Sequence, residues 1–208
     1  MTLRRMRYVD LAFVTDQHGR NFPYNAMSRL GRLFLRRYYW SFFDSPHTVA
    51  TVAERDGLPC GYLVGILDTG SHRRLLIRRH GAALAGTALI GLALDPPGAS
   101  RLFLRRMSLL MAKAARRGGS VGETAERGPV AVLSHTAVVG GVRGQGIGQA
   151  LVQAFVTEAR GSGATRISLA TQDGPEGAGP FYERQGWQLE RRRRTYDGRL
   201  ISLYDLRL

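Results

Sequence analysis

The stretch Val138-Val-Gly-Gly-Val-Arg-Gly-Gln-Gly-Ile-Gly-Gln149 decides the fold of this chain. An apolar run rich in β-branched valine ends in a glycine loop, and an amphipathic segment follows at once. Glycine lets the backbone approach a ligand closely and adopts positive φ without steric cost. The amides of such a loop, together with a helix N-terminus, attract an anion such as a pyrophosphate. The pattern therefore predicts a strand, an anion-binding loop and a helix, in that order.

The segment after the loop has the apolar period of a helix with one buried face. The predicted helix spans 146–160, because Arg160 suits a last turn and Gly161 and Gly163 favour a stop. The residues predicted to face the core are Ile147, Leu151, Val152, Phe155, Val156 and Ala159.

Two other glycine motifs do not fit this loop. Gly144-Gln-Gly-Ile-Gly148 lacks the Gly-x-Gly-x-x-Gly spacing of dinucleotide-binding folds, and the Gly-Lys-Ser/Thr of a phosphate loop is absent. The spacing Arg143-x-x-Gly-x-Gly148 instead resembles the acyl-CoA loop of the GNAT superfamily of N-acetyltransferases. Downstream, Ala178-Gly-Pro-Phe-Tyr-Glu-Arg-Gln-Gly-Trp187 is similar to that family's Ala-x-x-(apolar)-Tyr-x-x-x-Gly-(aromatic) helix. Two ordered motifs, a helix and a strand apart, are more specific than either alone.

The resemblance implies an α/β (mixed α+β sheet) GNAT-like acyl-CoA N-acyltransferase fold, and we expect residues 1–208 to form a single domain. Periodicity and turn signals agree with its opening order. The predicted elements are a strand at 3–9, a helix after Asp10, a helix at 26–43, strands at 47–54 and 58–67, and, after the glycine loop and its helix, a strand at 166–170, a helix at 177–185 and closing strands at 187–196 and 199–208.

Residues 69–128 do not fit the short connection of that family. Two apolar helical stretches, at about 72–94 and 99–117, flank Asp95-Pro-Pro-Gly98. They predict an αα-hairpin inserted between the third and fourth strands, and the polar segment 118–128 is expected to be a linker. The apolar run 81–94 is shorter than the ~20 residues of a membrane span.

The resemblance also implies which residues hold the acyl-CoA co-substrate. The backbone amides of the loop would bind the pyrophosphate, and the amide of Val138 would meet the thioester carbonyl. The residues placed at the cofactor are Val138, Val139, Arg143, Gly144, Gln145, Gly146, Ile147, Gly148 and Gln149. Tyr182 matches the family's general acid toward the CoA sulfur; a phenol with an ordinary pKa near 10 donates a proton while staying neutral at pH 7.

The general base departs from the family pattern. Many members carry an acid on the fourth strand, but residues 132–139 contain none. His135 is the titratable group there, since an imidazole exchanges protons near neutral pH. Ser134 and Thr136 are alternatives that would relay a proton through water. Packing and hydrogen bonding within the strand is the other role open to His135.

Two further features of the motif bear on the substrates. Pro175 stands where the family often has Asn, and Gln172 or Asp173 is a candidate to replace the missing contacts to the pantetheine arm. Near the break after the first helix, where the resembled fold binds its acceptor, Tyr24, Tyr39 and Phe42 are candidates to line the acceptor site. Plain core packing is their alternative role.

Composition limits the partners and the compartment. The chain has 30 basic and 16 acidic residues, a formal net charge of +14, which favours an anionic partner such as CoA, an acidic carrier protein, a nucleic acid or an anionic membrane. A single cysteine, Cys60, excludes an internal disulfide and suits a reducing cytoplasm. The five histidines show no metal-ligand spacing, so no metal is expected. No secretory leader is recognisable at the N-terminus.

The predicted function is direct transfer of an acetyl or longer acyl group from CoA to a small-molecule or peptide amine. One alternative is a long-chain acyl group carried by an acidic acyl-carrier protein and transferred to a peptide or specialised metabolite. Another is a non-catalytic acyl-CoA sensor. A nucleic-acid-binding module is disfavoured, because no helix-turn-helix or aromatic RNA-binding motif is present. The acceptor and the oligomeric state do not follow from the sequence.

Overall fold

The structure, a computed structural model, describes residues 1–94, 129–175, 177–195 and 198–208. Its contacts divide the chain into two compact units. The first unit contains residues 1–6, 46–72 and the described residues from 129 onward. The second contains residues 7–45 and 73–94.

A mixed sheet of seven strands forms the first unit. The strands are β1 (Thr2–Arg5), β2 (Thr48–Arg55), β3 (Leu58–Ile66), β4 (Val130–Val138), β5 (Arg166–Gln172), β6 (Gln188–Arg194) and β7 (Leu200–Arg207). Their order across the sheet is β1-β2-β3-β4-β5-β7-β6. Only β4 and β5 run parallel to each other; the other neighbours are antiparallel. The predicted mixed α/β sheet is therefore confirmed.

The described residues form the α-helices α1 (Leu11–Asn21), α2 (Ala26–Arg29), α3 (Gly31–Trp40), α4 (Thr69–Leu75), α5 (Gly81–Ala93), α6 (Ile147–Gly161) and α7 (Gly179–Glu183). A π-helical turn, Leu76–His80, joins α4 to α5. Among these described residues, no helix combines the length and the apolar character that crossing a bilayer requires.

Helix α6 packs on the sheet through the face that its sequence predicted. All six residues of the predicted apolar stripe are buried. The contact with β3 is close: a Cβ added at Gly65 would lie 2.2 Å from Cε2 of the Phe155 ring, and one at Gly61 would lie 3.2 Å from Cγ2 of Ile147. Residues 61 and 65 therefore identify the face of β3 on which α6 lies, and glycine leaves the space that the helix fills.

The second unit corrects one helix boundary. The predicted helix over 26–43 is two helices, α2 and α3, because the chain turns at Leu30 and Gly31, where Gly31 has a φ of +82°. Helix α5 then packs on α3. At this contact a Cβ on Gly91 would lie only 2.3 Å from the carbonyl oxygen of Leu30, so a side chain there has no room.

The expected insertion is described in part. Its first predicted helix, 72–94, is the succession of α4, the π-helical turn and α5. The second predicted helix, 99–117, and the linker, 118–128, lie outside the described residues. The single domain and the αα-hairpin thus stay predictions.

Candidate functional site

Strands β4 and β5 separate part of the way along their length. They pair from Val130–Arg166 to Leu133–Leu169 and no further, although β4 runs on to Val138 and β5 to Gln172. Beyond this point β4 stays paired with β3, and β5 stays paired with β7. The two parallel strands therefore leave an opening in the sheet at their carboxyl ends.

Val138 directs a backbone amide toward this opening. The N–H of the next residue, Val139, donates to the carbonyl of Cys60 on β3, at 2.9 Å. Because successive amides along a strand point to opposite sides, the N–H of Val138 points away from β3. The carbonyl of Val138, on that same side, accepts a hydrogen bond from Nε of Arg143 at 3.1 Å. The N–H of Val138, which the sequence predicts to meet a thioester carbonyl, thus points to the side of β4 on which the opening lies.

The glycine loop connects β4 to the N-terminus of α6. Gly144 and Gly146 both have a φ of +78°, a conformation that side-chain-bearing residues rarely adopt. A Cβ at either residue would meet nothing within 4 Å, so here glycine is required by the backbone conformation and not by crowding. The loop takes the tight path that the sequence pattern predicted.

Gly146 is the N-cap of α6, and no side chain caps the helix there. The first helical hydrogen bond runs from the N–H of Ala150 to the carbonyl of Gly146, at 2.9 Å. The preceding amides, those of residues 147–149, have no carbonyl partner within the helix. A fifteen-residue helix thus presents its positive end beside the end of β4.

Arg55 is a contributor to the loop that the sequence did not indicate. It lies at the turn between β2 and β3, and its guanidinium donates to Oε1 of Gln145. The antiparallel pairing of Gly61 with Val138 brings this turn beside the loop that follows β4. Only the strand order and register, which no local pattern encodes, place Arg55 there.

Tyr182 is buried in the same unit, on the side of the sheet that carries α6. Its ring lies 5.0 Å from that of Phe181 and 5.5 Å from that of Trp187, centroid to centroid. Burial raises the pKa of Tyr182 to about 12, and interaction with the side chain of Thr136 on β4 partly opposes this rise. The phenol is therefore neutral at physiological pH and lies next to the strand that ends at Val138.

The short helix α7, which carries Tyr182, is held by contacts with side chains of β5 and β7. The hydroxyl of Thr171 on β5 accepts a hydrogen bond from the N–H of Ala178, at 3.1 Å. A Cβ on Gly179 would lie 2.6 Å from the phenol oxygen of Tyr204, and that phenol donates to Glu183 at 2.7 Å. Thr171 was not singled out by the sequence, since a threonine in a strand has no distinctive pattern.

Asp173 follows β5 directly. Its carboxylate accepts hydrogen bonds from the hydroxyl of Ser202 and from Nε of Arg192, the latter at 2.9 Å. These bonds lower the pKa of the Asp173 carboxyl. The carboxylate thus ties the end of β5 to β6 and β7, and its proposed contact with a pantetheine arm stays a prediction.

The candidate bases lie at a bulge in β4. His135 pairs with Val64, Leu133 pairs with Gly65, and Ser134 lies between them without a partner on β3. Thr136 pairs with Leu63, on the face that carries α6 and Tyr182. His135, one residue earlier, is buried and belongs to the opposite face. An acid and a base on opposite faces of an opening can approach one bound thioester from its two sides.

The candidate acceptor residues all belong to the second unit. Tyr39 and Phe42 are buried, whereas the ring of Tyr24 is 58% exposed. The phenol of Tyr39 lies 2.6 Å from Nδ1 of His18, and burial lowers the pKa of that imidazole to about 4. Burial favours core packing for Tyr39 and Phe42; a role for any of the three in acceptor binding stays a prediction.

Within the described part of the chain, no group of three or more His, Cys, Asp or Glu side chains comes together as a metal site would require. Cys60 is buried in β3, and its thiol lies 3.4 Å from the carbonyl oxygen of Ala53.

Comparison with known proteins agrees with this geometry. A family model described as the GNAT acetyltransferase family matches residues 14–187. No curated protein matches the sequence.

Solved structures share the fold at low sequence identity. An aminoglycoside 6'-N-acetyltransferase complexed with coenzyme A is 12% identical, with a TM-score of 0.62 over 100% of this chain and 97% of its own. The ribosomal-protein-alanine N-acetyltransferase of Brucella melitensis is 14% identical, with a TM-score of 0.61 over 100% of both chains. The yncA protein of Salmonella typhimurium, solved with its cofactor acetyl-CoA, is 12% identical, with a TM-score of 0.60 over 100% of this chain and 94% of its own.

Proposed function

Because the chain belongs to the GNAT family of acetyltransferases, we propose that it transfers an acetyl or longer acyl group from a CoA thioester directly to an amine. The observation that carries the proposal is the opening between β4 and β5, with the Val138 amide on one side and the N-terminus of α6 at its end. Similar structures contain coenzyme A or acetyl-CoA, which supports CoA as the carrier of the acyl group.

The amides at the start of α6 would hold the pyrophosphate of the donor. Residues 144–149 offer backbone N–H groups, and the helix dipole favours negative charge at this end. Arg143 and Arg55 add positive charge beside the loop, one bonded to Val138 and the other to Gln145. With the pyrophosphate bound here, the pantetheine arm would extend into the opening between the strands.

The acyl transfer would then need one oxyanion donor and one acid. The amine nitrogen attacks the thioester carbon, and the negative charge that develops on the carbonyl oxygen is stabilised by the N–H of Val138, a contribution typically about 3 kcal/mol. The carbon–sulfur bond breaks, and the phenol of Tyr182 gives its proton to the departing thiolate. A pKa of about 12 keeps this proton on the phenol until the sulfur takes it.

The attacking amine must lose a proton, and His135 is the proposed acceptor of that proton. It is the titratable side chain of β4, and its face of the sheet is opposite to that of Tyr182. Relay through water held by Ser134 or Thr136 is the alternative. Replacing His135 by Gln should remove the acidic limb of the pH–rate profile; a retained limb would assign the base role to water relay.

The acceptor is proposed only as an amine. The structures that share this fold are named for an aminoglycoside and for the alanine of a ribosomal protein, two very different amines. The fold therefore does not select the acceptor by itself. The binding experiment compares donors that differ in acyl length and in the carrier, CoA or an acyl-carrier protein. The donor that binds identifies both.

Calorimetric titration of the purified chain with acetyl-CoA, a long-chain acyl-CoA and an acyl-carrier protein thioester tests the donor site. We expect binding to a CoA thioester, and we expect Gly146→Glu to abolish it, because the change places a carboxylate in the anion site and a side chain at positive φ. Gly163→Glu is the matched control: Gly163 follows the C-terminus of α6, has a φ of +80° and has open space around its Cβ position.

Two outcomes would contradict the proposal. If the parent chain binds no thioester, the glycine loop does not hold the donor. The same follows if Gly146→Glu and Gly163→Glu bind the thioester equally well. Binding without release of free thiol across a panel of amines would indicate the acyl-CoA sensor instead of the enzyme.

A further inference from the structure

The outward face of helix α5 consists only of apolar residues. The exposed positions recur every three or four residues along α5 and just beyond its end. None of these positions carries a polar side chain. The exposed residues, which we name the α5 face, are Ala82, Ala85, Gly86, Leu89, Ile90, Ala93 and Leu94. Leu89 is 62% exposed and Leu94 is 80% exposed. A helix on a protein surface normally carries charged or polar residues on its outward side.

The inward face of α5 is fixed by packing. Ala88 is buried, and Gly91 lies so close to the carbonyl of Leu30 that a Cβ would overlap it. The helix therefore cannot rotate to hide the α5 face without breaking its contact with α3. An exposed apolar stripe on a fixed helix is typical of a docking surface.

Four arginines lie in the segment between Asp68, which caps α4, and the α5 face. Arg73, Arg74, Arg78 and Arg79 are all exposed, and residues 69–94 contain no Asp or Glu. Ile77, between them, is 56% exposed. The surface that leads into the α5 face is therefore strongly positive.

The described residues of the second unit are mostly basic among their charged side chains. Its described residues include ten arginines and three aspartates. Each aspartate has its own contact: Asp10 with the N–H of Arg7, Asp16 with Arg20, and Asp44 with the imidazole of His80 at 2.9 Å. A partner of this surface must therefore offer an apolar region to the α5 face and negative charge to the arginines that precede it.

We propose that the α5 face and its four arginines dock the protein on an anionic lipid surface. The leucine and isoleucine side chains would enter the boundary between headgroups and acyl chains, and the guanidinium groups would pair with lipid phosphates. Thirteen residues of helix measure about 20 Å, less than the ~30 Å hydrocarbon core, so α5 would lie in the interface. A second copy of the chain would oppose this basic surface with an equal positive charge, which disfavours a dimer here.

Flotation of the purified full chain with vesicles tests the proposal. Vesicles of phosphatidylcholine containing phosphatidylglycerol should bind the protein, and vesicles of pure phosphatidylcholine should bind it much less. Leu89→Asp with Ile90→Asp should weaken binding more than about tenfold, and each of Arg78→Gln and Arg79→Gln should weaken it about fivefold.

Matched controls come from the first unit. Leu58 is 69% exposed, and Arg191 and Arg193 are exposed on β6, so Leu58→Asp and the pair Arg191→Gln with Arg193→Gln change the same residue types elsewhere. These variants should bind vesicles like the parent chain. All substituted residues are exposed, and circular dichroism and urea unfolding check that each variant is folded.

Several results would overturn the proposal. Absent vesicle binding, equal binding to neutral vesicles, or equal losses in the control variants would each remove the lipid assignment. A dimer in sedimentation that Leu89→Asp with Ile90→Asp dissociates would assign the α5 face to a second copy. Binding to a purified acidic acyl-carrier protein but not to vesicles would assign it to a protein partner. None of these results depends on acyl transfer. The vesicle experiment can therefore fail while the proposed function holds, and the reverse is also true.

Discussion

Tyr182 is the proposed proton donor to the departing thiolate. It is buried among aromatic rings, which raises its pKa to about 12, and it interacts with Thr136 on the strand that ends at Val138. We expect Tyr182→Phe to lower kcat about a hundredfold, because a positioned general acid contributes at least that much. The KM for acetyl-CoA should change little, since the phenol does not hold the pyrophosphate.

Steady-state kinetics with free-thiol detection measures this effect. Tyr204→Phe is the control, as it also removes a phenol oxygen from this aromatic group. Because the Tyr182 phenol loses its proton only near pH 12, its ionisation should produce no alkaline limb below about pH 11. Unchanged turnover in Tyr182→Phe would exclude the phenol as the acid.

His18 makes the stability of the chain depend on pH. Burial lowers the pKa of its imidazole to about 4, from an ordinary value of 6.5, so the folded chain keeps His18 neutral. The unfolded chain binds this proton first as the pH falls. The stability contributed by the neutral imidazole is complete above about pH 6.5 and is lost as the pH falls toward 4, an effect of about 3 kcal/mol.

Urea unfolding at pH 7 and pH 4 measures this loss against His18→Gln, which cannot titrate. Between these two pH values, the free energy of unfolding of the parent should fall by about 3 kcal/mol more than that of the variant. An equal fall in both proteins would contradict the assigned burial of His18.

Among single residues, the sequence predicted those whose role depends on a local motif. Gly146, Gly148 and Tyr182 belong to short patterns, and the structure places the two glycines at the start of α6 and Tyr182 on α7. Their roles in binding and catalysis stay predictions. Arg55 and Thr136 interact with residues that are distant in the sequence, Gln145 and Tyr182 respectively. Their roles depend on which strands are neighbours and in which register, and neighbouring residues in the sequence do not encode this.

At the scale of elements, α6 and β3 show how packing positions the loop. Gly65 leaves the space for the ring of Phe155, which is fully buried. We expect Gly65→Ala to destabilise the protein by about 1–3 kcal/mol, because a Cβ only 2.2 Å from a buried ring forces strain into a packed core. The midpoint of urea unfolding measures this change.

Gly86→Ala is the control for this substitution. Gly86 lies on the exposed side of α5 with open space around it, and alanine favours the helix by about 1 kcal/mol. Its midpoint should stay equal or rise. Adding Phe155→Leu to Gly65→Ala should restore part of the lost stability. A urea midpoint unchanged by Gly65→Ala would contradict the close contact between residue 65 and the Phe155 ring.

The elements themselves were predictable to different degrees. Helix α6 was predicted together with its buried residues, because its apolar period is regular and its ends are marked by glycine. The break between α2 and α3 was missed. The apolar period continues through Leu30 and Gly31, but the positive φ of Gly31 interrupts the helical backbone there. The point at which β4 separates from β5 is not encoded locally, since nothing within either strand indicates where their pairing ends.

For the molecule as a whole, composition indicated an anionic partner but could not locate it. The structure separates two positive surfaces: the loop and the start of α6 in the first unit, and the arginines that precede α5 in the second. The first consists of backbone amides and a helix N-terminus and suits a phosphate-bearing cofactor. The second precedes an exposed apolar helix and supports the proposed lipid surface.

The central claim is that the backbone amides of the glycine loop and of Val138 bind the donor. An amide NMR titration of the ¹⁵N-labelled chain with acetyl-CoA tests it most directly, because it reports on each N–H separately. We predict the largest shifts at Val138 and at residues 144–149, and we predict that Gly146→Glu removes them. Shifts confined to other parts of the chain, or none at saturating acetyl-CoA, would contradict the account.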